Sequence, residues 1–156
     1  MRATMILVIA IASVSLTSCA TGPPGAHPTG VDVDIDGTYV NVVTEQELRA
    51  AGLEDATDIL ENTGTFEFTF EDGVWSFTQT TDHDVPSGQT QRTGSFTVRG
   101  NAFTIYWSQE NRADVTRATV SINSEGALVF TNVDDPFAPQ LSNGFFATEP
   151  WPRVAG

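Results

Sequence analysis

Few residues in this sequence have side chains and spacing suited to catalysis. His83 lies between Asp82 and Asp84, and Ser87 follows in the same segment. Serine, histidine and a carboxylate are the residue types of a nucleophilic triad, in which histidine acts as general base. Nearness in sequence does not supply the geometry of a triad, and no nucleophile-elbow or metal-binding motif accompanies these residues. The sequence favours a solvated loop histidine, so we expect neither an enzyme nor a metal site.

A second group with potential chemistry is an acidic run near the start of the domain. Asp32, Asp34 and Asp36 occupy alternate positions and Gly37 follows, as in the first half of an EF-hand calcium loop. The bidentate glutamate of such a loop is missing, because its position is held by Val43, and the Pro/Gly-rich segment upstream cannot form the entering helix. The pattern favours an acidic lead-in to a strand. Weak cation binding by the three carboxylates stays an alternative.

Composition limits the classes of function that remain. The 156 residues suit one globular domain, and 20 acidic against 7 basic residues give a net charge of −13. This excess of acid argues against a nucleic-acid partner, since each phosphate contact needs a cation. The single cysteine excludes an internal disulfide, a cysteine-built zinc site and a thioredoxin-type pair.

The N-terminus has the pattern of an export signal. Arg2 provides the initial positive charge, an apolar run follows from Met5 to Val14, and small residues come next. That run is shorter than the roughly 20 residues that a transmembrane helix needs. Residues 1–18 are therefore predicted to be a cleaved signal peptide, which indicates an extracytoplasmic protein.

The cysteine stands where this signal ends. Leu16, Thr17, Ser18 and Cys19 resemble a bacterial lipobox. The resemblance implies cleavage before Cys19, acylation of its thiol and its new amino group, and anchoring to the bacterial cell membrane. A buried free thiol after an ordinary signal peptide is the alternative. The following residues are rich in Pro and Gly, so 19–35 is predicted to be the lipidated cysteine and a tether.

The elements of the domain, residues 36–156, follow from the periodicity. Thr44 and Glu47 form a capping box, which predicts a short helical insert between residues 44 and 61. Elsewhere apolar and polar residues alternate between turn residues, the pattern of an antiparallel sandwich or barrel. Seven strands are predicted at about 37–43, 64–71, 74–81, 92–99, 102–109, 116–123 and 127–133.

Three hairpin turns fix the predicted registers. Turns at Asp72-Gly73, Gly100-Asn101 and Ser124 to Gly126 bring apolar residues together on one face. The pairs beside the turns are bulky: Phe70 with Trp75, Val98 with Phe103, and Ile122 with Leu128. We therefore expect this end of the sheet to be sealed, and we call it the closed end.

At the opposite end, the cross-strand pairs that face the interior have smaller or more polar side chains. They are Phe66 with Gln79, Gly94 with Trp107, and Ala118 with Asn132. The longer connections also lie there, as does the helical insert that would cover the mouth. An apolar wall with a few polar groups is typical of a ligand site. The predicted pocket consists of Phe66, Phe68, Phe77, Gln79, Phe96, Trp107, Phe130 and Asn132.

The pattern resembles the lipocalin or calycin superfamily over the whole domain. Gly37, Thr38 and Tyr39 stand where lipocalins have Gly-x-Trp, and Arg153 is similar to their late arginine. The resemblance implies an all-β, antiparallel up-and-down barrel of about eight strands, in which the segment around Trp151 pairs with the first strand. It also implies that Tyr39, Trp151 and Arg153 are structural residues at the closed end. The mouth would then face away from the membrane.

Two classes of function fit these expectations. The first is a membrane-anchored extracytoplasmic lipoprotein that binds a small apolar or amphipathic ligand in its barrel. The second is an envelope accessory or protein-interaction module, whose barrel is filled by its own side chains and holds no small molecule. The expected partners are the membrane, through the acyl anchor, and either a small hydrophobic ligand or an envelope protein. No cofactor is expected.

Overall fold

The computed structural model describes residues 31–108 and 114–154. The signal peptide, Cys19 and most of the tether lie outside these residues. Seven strands and three helices follow one another along the described chain. They are β1 (Gly37–Val43), α1 (Glu45–Ala50), α2 (Ala56–Asn62), β2 (Gly64–Glu71), β3 (Val74–Thr80), β4 (Gln91–Arg99), β5 (Ala102–Tyr106), β6 (Val115–Ile122), β7 (Leu128–Asp134) and α3 (Pro139–Phe146).

The strands form one curled antiparallel sheet in sequence order, β1 to β7. Phe70 pairs with Trp75, and Phe68 pairs with Phe77, as the alternation predicts. The registers predicted at the other two turns are confirmed as well, by the pairs Val98–Phe103 and Ile122–Leu128. Hairpin registers are predictable because a short turn and a hydrophobic face together permit only one pairing.

One predicted pair, Ala118 with Asn132, falls on an irregularity of the sheet and does not form a regular ladder pair. The register of β6 and β7 shifts between Arg117, which pairs with Asp134, and Thr119, which pairs with Thr131. Two residues of β7 therefore stand opposite Ala118, as in a β-bulge. Asn132 takes the left-handed backbone conformation (φ 51°), which asparagine tolerates better than most residues. The bulge turns its side chain to the solvent, where the amide donates to Thr119 Oγ1 at 3.3 Å.

The segment after α3 contacts both edges of the sheet. Trp151 exchanges two backbone hydrogen bonds with Leu128 of β7, at 2.8 and 2.9 Å. On the other side, the Val40 amide of β1 donates to the Pro152 carbonyl, and the Val154 amide donates to the Thr38 carbonyl. These are single bridges, not a long strand. They link the two edge strands of the seven-stranded sheet.

Aromatic side chains fill the interior of the curled sheet. Phe68 and Trp151 are fully buried, and their ring centroids lie 5.1 Å apart. Trp75 is also fully buried, and its indole N–H donates to the Tyr106 carbonyl at 3.1 Å. This hydrogen bond offsets the cost of burying the indole donor of Trp75. The hydrophobic core therefore lies in the interior that the curled sheet encloses.

The predicted helical insert consists of two short helices. At α1 the Thr44 hydroxyl accepts from the Glu47 amide, and the Glu47 carboxylate accepts from the Thr44 amide, so the capping box is confirmed. Asp55 caps α2 by accepting from the Thr57 and Asp58 amides. Across the two described stretches, no helix has the length and apolar character needed to span a bilayer.

Candidate functional site

The end of the sheet opposite the closed end is covered by α3, an element that the sequence did not predict. Phe145 and Phe146 point from α3 into the sheet. Phe145 packs against Phe66 with ring centroids 4.7 Å apart, and Phe146 packs against Phe130 at 5.2 Å. A Cβ on Gly144 would lie only 3.0 Å from Leu48 Cδ2, so α3 also packs closely on α1. We call this the helix-capped end.

A cavity of about 180 Å³ remains between α3 and the strands β2 to β6. Its aromatic lining combines residues of the strands with residues in and before α3. Those aromatic residues are Phe66, Phe77, Trp107, Phe137, Phe145 and Phe146. Its polar lining residues are Asn62, Arg92, Asp114, Asp135 and Ser142. The cavity is a mostly apolar recess whose lining also includes charged groups of both signs.

Three of the predicted pocket residues line this cavity: Phe66, Phe77 and Trp107. Trp107 is held in place by two contacts. Its indole N–H donates to Thr116 Oγ1 at 2.8 Å, and its ring packs against Trp75 with centroids 5.1 Å apart. The sequence therefore identified the strand side of the cavity.

The other predicted pocket residues lie elsewhere. Phe68, Phe96 and Phe130 pack within the core and do not line the cavity. Gln79 is buried, but its amide donates to the Glu61 and Thr63 carbonyls at the end of α2. Asn132 is exposed on the bulge of β7. The pocket is thus smaller than predicted, because Phe145 and Phe146 occupy the space that an open mouth would leave.

Asp135 is the most connected polar residue of the cavity wall. It is 7% exposed. Its Oδ1 accepts from the amides of Phe137 and Ala138 at 2.8 and 2.9 Å. Its Oδ2 accepts from the hydroxyls of Thr116 and Ser142 at 2.7 and 2.6 Å. One carboxylate therefore ties the start of α3 to β6.

These hydrogen bonds decide the charge of Asp135. Burial alone would raise its pKa, and this is the largest single effect. The four donors outweigh it together: the Ser142 hydroxyl, the Ala138 amide, the Thr116 hydroxyl and the Phe137 amide hold the pKa below its usual range. Asp135 is consequently ionised at neutral pH. Neither Asp135 nor Ser142 was predicted from the sequence, since both acquire their role only through contacts between distant segments.

His83 does not form a triad. Its Nε2 lies 2.9 Å from the Leu60 carbonyl, and its Nδ1 lies 2.7 Å from Thr81 Oγ1. The Leu60 carbonyl, followed by the Asp82 carboxylate, raises the pKa of the imidazole. Ser87 Oγ instead accepts from the Gln89 amide at 3.3 Å. The histidine ties the loop after β3 to the end of α2.

At the closed end, the polar contacts are made mainly by Arg153. Arg153 donates to the Asp36 carbonyl at 2.7 Å, and its guanidinium carbon lies 5.9 Å from the centre of the Tyr39 ring. Gly37 has a φ of 146°, a backbone conformation that residues with a Cβ rarely adopt, so this position favours glycine. Burial raises the pKa of the Tyr39 hydroxyl. Trp151 is buried further inside, against Phe146, with ring centroids 5.2 Å apart.

The acidic lead-in lies across the closed end. Asp32 Oδ1 accepts from the Gly100 amide at 2.6 Å, and Asp34 Oδ1 accepts from the Asp36 amide at 3.1 Å. Ile35 between them is buried. Within residues 31–108 and 114–154, no three acidic, histidine or cysteine side chains are grouped closely enough to hold a metal ion. The described contacts of Asp32 and Asp34 are with backbone amides.

Comparison with known proteins yields no match to this chain among protein-family models, curated proteins or solved structures.

Proposed function

We propose that this protein is a lipid-anchored extracytoplasmic protein that binds a small apolar or amphipathic group in the cavity at its helix-capped end. The observation that carries the proposal is the cavity itself, in which six aromatic side chains surround about 180 Å³ of free space. A mostly apolar recess with a few fixed polar groups is the usual form of a small-molecule site.

The size of the cavity limits the ligand. An apolar cavity of about 150 Å³ is large enough to hold benzene. The cavity here, at about 180 Å³, therefore fits a group the size of one ring or a short branched chain. A long acyl chain or an isoprenoid does not fit while Phe145 and Phe146 occupy the interior. The expected ligand is thus smaller than the lipid that a wide barrel would hold.

The proposal includes a lipocalin-like barrel of eight strands. Tyr39 and Arg153 form an isolated antiparallel bridge, and so do Leu128 and Trp151, so the last segment lies between β1 and β7 as an eighth strand would. The position of Arg153 over the Tyr39 ring supports the resemblance to the closed end of a lipocalin. The short helix α3 is an additional feature that fills much of the mouth.

The anchor follows from Cys19 in the lipobox-like sequence. The tether would reach the domain at the closed end, because the Val33 amide donates a hydrogen bond to the Gly100 carbonyl at a closed-end turn. The helix-capped end would therefore face away from the membrane. In that orientation the cavity is open to molecules outside the cell membrane and not to the bilayer.

The test is native mass spectrometry of the full-length protein, extracted in detergent from a bacterial host. We expect a mass that includes acyl chains, which a Cys19→Ser variant lacks. We also expect a retained small molecule, or uptake of phenol as a small amphipathic probe. Ala138→Leu, which adds bulk at the cavity wall, should abolish binding, whereas Ala102→Leu at an exposed closed-end position should not.

A protein that carries no small molecule, takes up no phenol and behaves identically in both variants would contradict ligand binding. The second candidate function would then stand, namely an envelope accessory module with a filled barrel. The specific observation in its favour is the dense interior, where Phe145 lies between Phe66 and Trp151 with ring centroids 4.7 and 5.8 Å away.

A further inference from the structure

The cavity at the helix-capped end combines aromatic walls with negative charge. Two carboxylates, Asp114 and Asp135, line it against one guanidinium, that of Arg92. Arg92 is exposed, and its Nη2 lies 3.5 Å from the Trp107 carbonyl at the outer edge. Asp135 is buried, so its charge is screened less by solvent than that of Arg92. The cavity lining therefore carries a net negative charge, and its buried carboxylate is the least screened of its charged groups.

The hydrogen-bonding groups of Asp135, Trp107 and Ser142 in the cavity wall are already engaged. A carboxylate has about four acceptor positions, and Asp135 receives four donors from the protein itself. The Trp107 indole N–H donates to Thr116, and the Ser142 hydroxyl donates to Asp135. A ligand at this wall encounters aromatic surface and negative charge. It finds neither a vacant acceptor on Asp135 nor a free indole donor.

These properties select a particular kind of cation. A primary ammonium loses its hydrogen bonds to water on entering such a site, and Asp135 could replace them only by releasing its own donors. A quaternary ammonium has no N–H groups to satisfy, and its methyl groups pack against aromatic rings while its charge is attracted by them and by the carboxylates. A trimethylammonium group is also compact enough for a cavity of about 180 Å³.

We propose that the cavity binds the quaternary ammonium group of a small organic cation, between its aromatic walls and beside Asp135. This inference rests on the proposed function and names the chemical class of its ligand. The group could belong to a free compound such as choline or to the headgroup of a phospholipid, since both carry trimethylammonium.

The test is calorimetric titration of the full-length protein in dodecyl maltoside. Choline chloride is compared with 3,3-dimethylbutan-1-ol, which has the same shape and hydroxyl but carries carbon in place of the charged nitrogen. We expect choline to bind about tenfold more tightly, the range of a desolvated cation–π contact. Equal affinity for the two compounds would overturn the inference while leaving the proposed function intact. Failure of both compounds to bind would overturn the inference as well.

A pair of charge variants sharpens the test. Asp114→Asn removes a carboxylate that lines the cavity, and its described hydrogen bond to the Trp107 amide uses the backbone carbonyl, so the fold should tolerate the change. Glu125→Gln removes the same charge at an exposed closed-end turn. Choline affinity should fall several-fold in the first variant and stay unchanged in the second, whereas the neutral analogue should respond to neither. An equal fall in both variants would show a general charge effect and contradict a site.

The source of the ammonium group is distinguished by a third titration, with glycerophosphocholine. This compound adds the phosphodiester of a lipid headgroup without the acyl chains. Binding as tight as that of choline would support a headgroup ligand. Loss of binding would support a free cation, because the phosphodiester would then be repelled by the acidic wall. Both results support the ammonium site and differ only in the source of the group.

If choline and its neutral analogue both fail to bind, the phenol experiment separates the two ideas. Retention or uptake of phenol, sensitive to Ala138→Leu, would preserve the proposed function and reject only the ammonium preference. A protein that also fails to take up phenol would lose both proposals.

Discussion

The two ends of the sheet are built on the same seven strands but are closed by different means. At the closed end, short turns place bulky apolar pairs such as Phe70 and Trp75 directly against each other. At the helix-capped end, a separate helix covers the strands and a buried carboxylate, Asp135, holds its start in place. The turn-side pairs of the first end are close in sequence, and Arg153 adds contacts with Asp36 and Tyr39 from the last segment. The second end combines aromatic packing of α3 with the hydrogen bonds of Asp135, one of which reaches Thr116 on β6.

Under the proposed function, this difference separates the residues that stabilise the fold from those that bind the ligand. Dense packing of apolar side chains leaves no room for a ligand, so the closed end contributes mainly to the free energy of folding. A helix held by a polar network can leave a void beneath it, because hydrogen bonds fix positions without filling space. The cavity lies beside the hydrogen-bond network of Asp135, and the following predictions test whether the two ends differ in stability and in binding.

The largest effects should come from truncating one phenylalanine at each end. Phe70→Ala removes a fully buried ring at the closed end and should lower the free energy of unfolding by about 4 to 5 kcal/mol. Phe145→Ala should cost less, about 3 kcal/mol, because its ring already borders a cavity and the new space joins that cavity. Urea denaturation of both variants measures the difference. A greater loss of unfolding free energy in Phe145→Ala than in Phe70→Ala would contradict the proposed difference between the two ends.

Removal of the buried carboxylate should have the next largest effect. Asp135→Ala leaves the hydroxyls of Thr116 and Ser142 and two backbone amides without their acceptor, and should cost about 2 to 3 kcal/mol. Asp134→Ala, beside it but exposed, should stay within about 0.5 kcal/mol of the wild type. Equal losses in the two variants would mean that the network does not hold α3.

The dependence of the unfolding free energy on pH provides a second test of the ionised state of Asp135. Its pKa is lower in the folded protein than in the unfolded chain, so its contribution to stability is complete above the unfolded value of about 3.9. The contribution is lost as the pH falls from there through the folded pKa. Asp135→Asn cannot titrate, so its unfolding free energy should depend less on pH in this acidic range. An unchanged acid dependence would contradict an ionised Asp135.

The smallest expected effect concerns His83, which lies at the helix-capped end but outside the cavity. The Leu60 carbonyl and the Asp82 carboxylate raise the pKa of its imidazole. A raised pKa means that the protonated form favours the fold, and this contribution is lost as the pH rises through the folded pKa. An NMR titration should therefore place the His83 midpoint above the ordinary value of about 6.5. Asp82→Asn should lower it, and a midpoint at or below 6.5 in the wild type would contradict these contacts.

The features that were predicted from the sequence are local. Alternating residues and two-residue turns fix the hairpin registers, and the capping box of Thr44 and Glu47 fixes the start of α1. Each of these signals lies within a few residues of the structure it determines. The strand wall of the cavity, with Phe66 and Trp107, follows from the same alternation.

The features that were missed depend on long-range contacts. No helix is predicted within residues 134–144, which contain two prolines and a glycine. Nevertheless, Pro139 at the first helical position and the apolar residues Leu141 and Phe145, four positions apart, are signals of a helix. Asp135 is one of many acidic residues in the sequence, and only its contact with Thr116, 19 residues away, gives it a special position. The outward turn of Asn132 depends on a bulge that alternation alone does not reveal.

The most direct test of the central claim uses the indole N–H signals of the three tryptophans, observed by NMR in the full-length protein. Trp107 lines the cavity, whereas Trp151 is buried outside it, and a Trp107→Phe variant assigns the signal. Addition of phenol should shift the Trp107 signal in a saturable manner and leave Trp151 nearly unchanged. Absence of any saturable shift, or a larger shift at Trp151, would contradict a binding site at the helix-capped end.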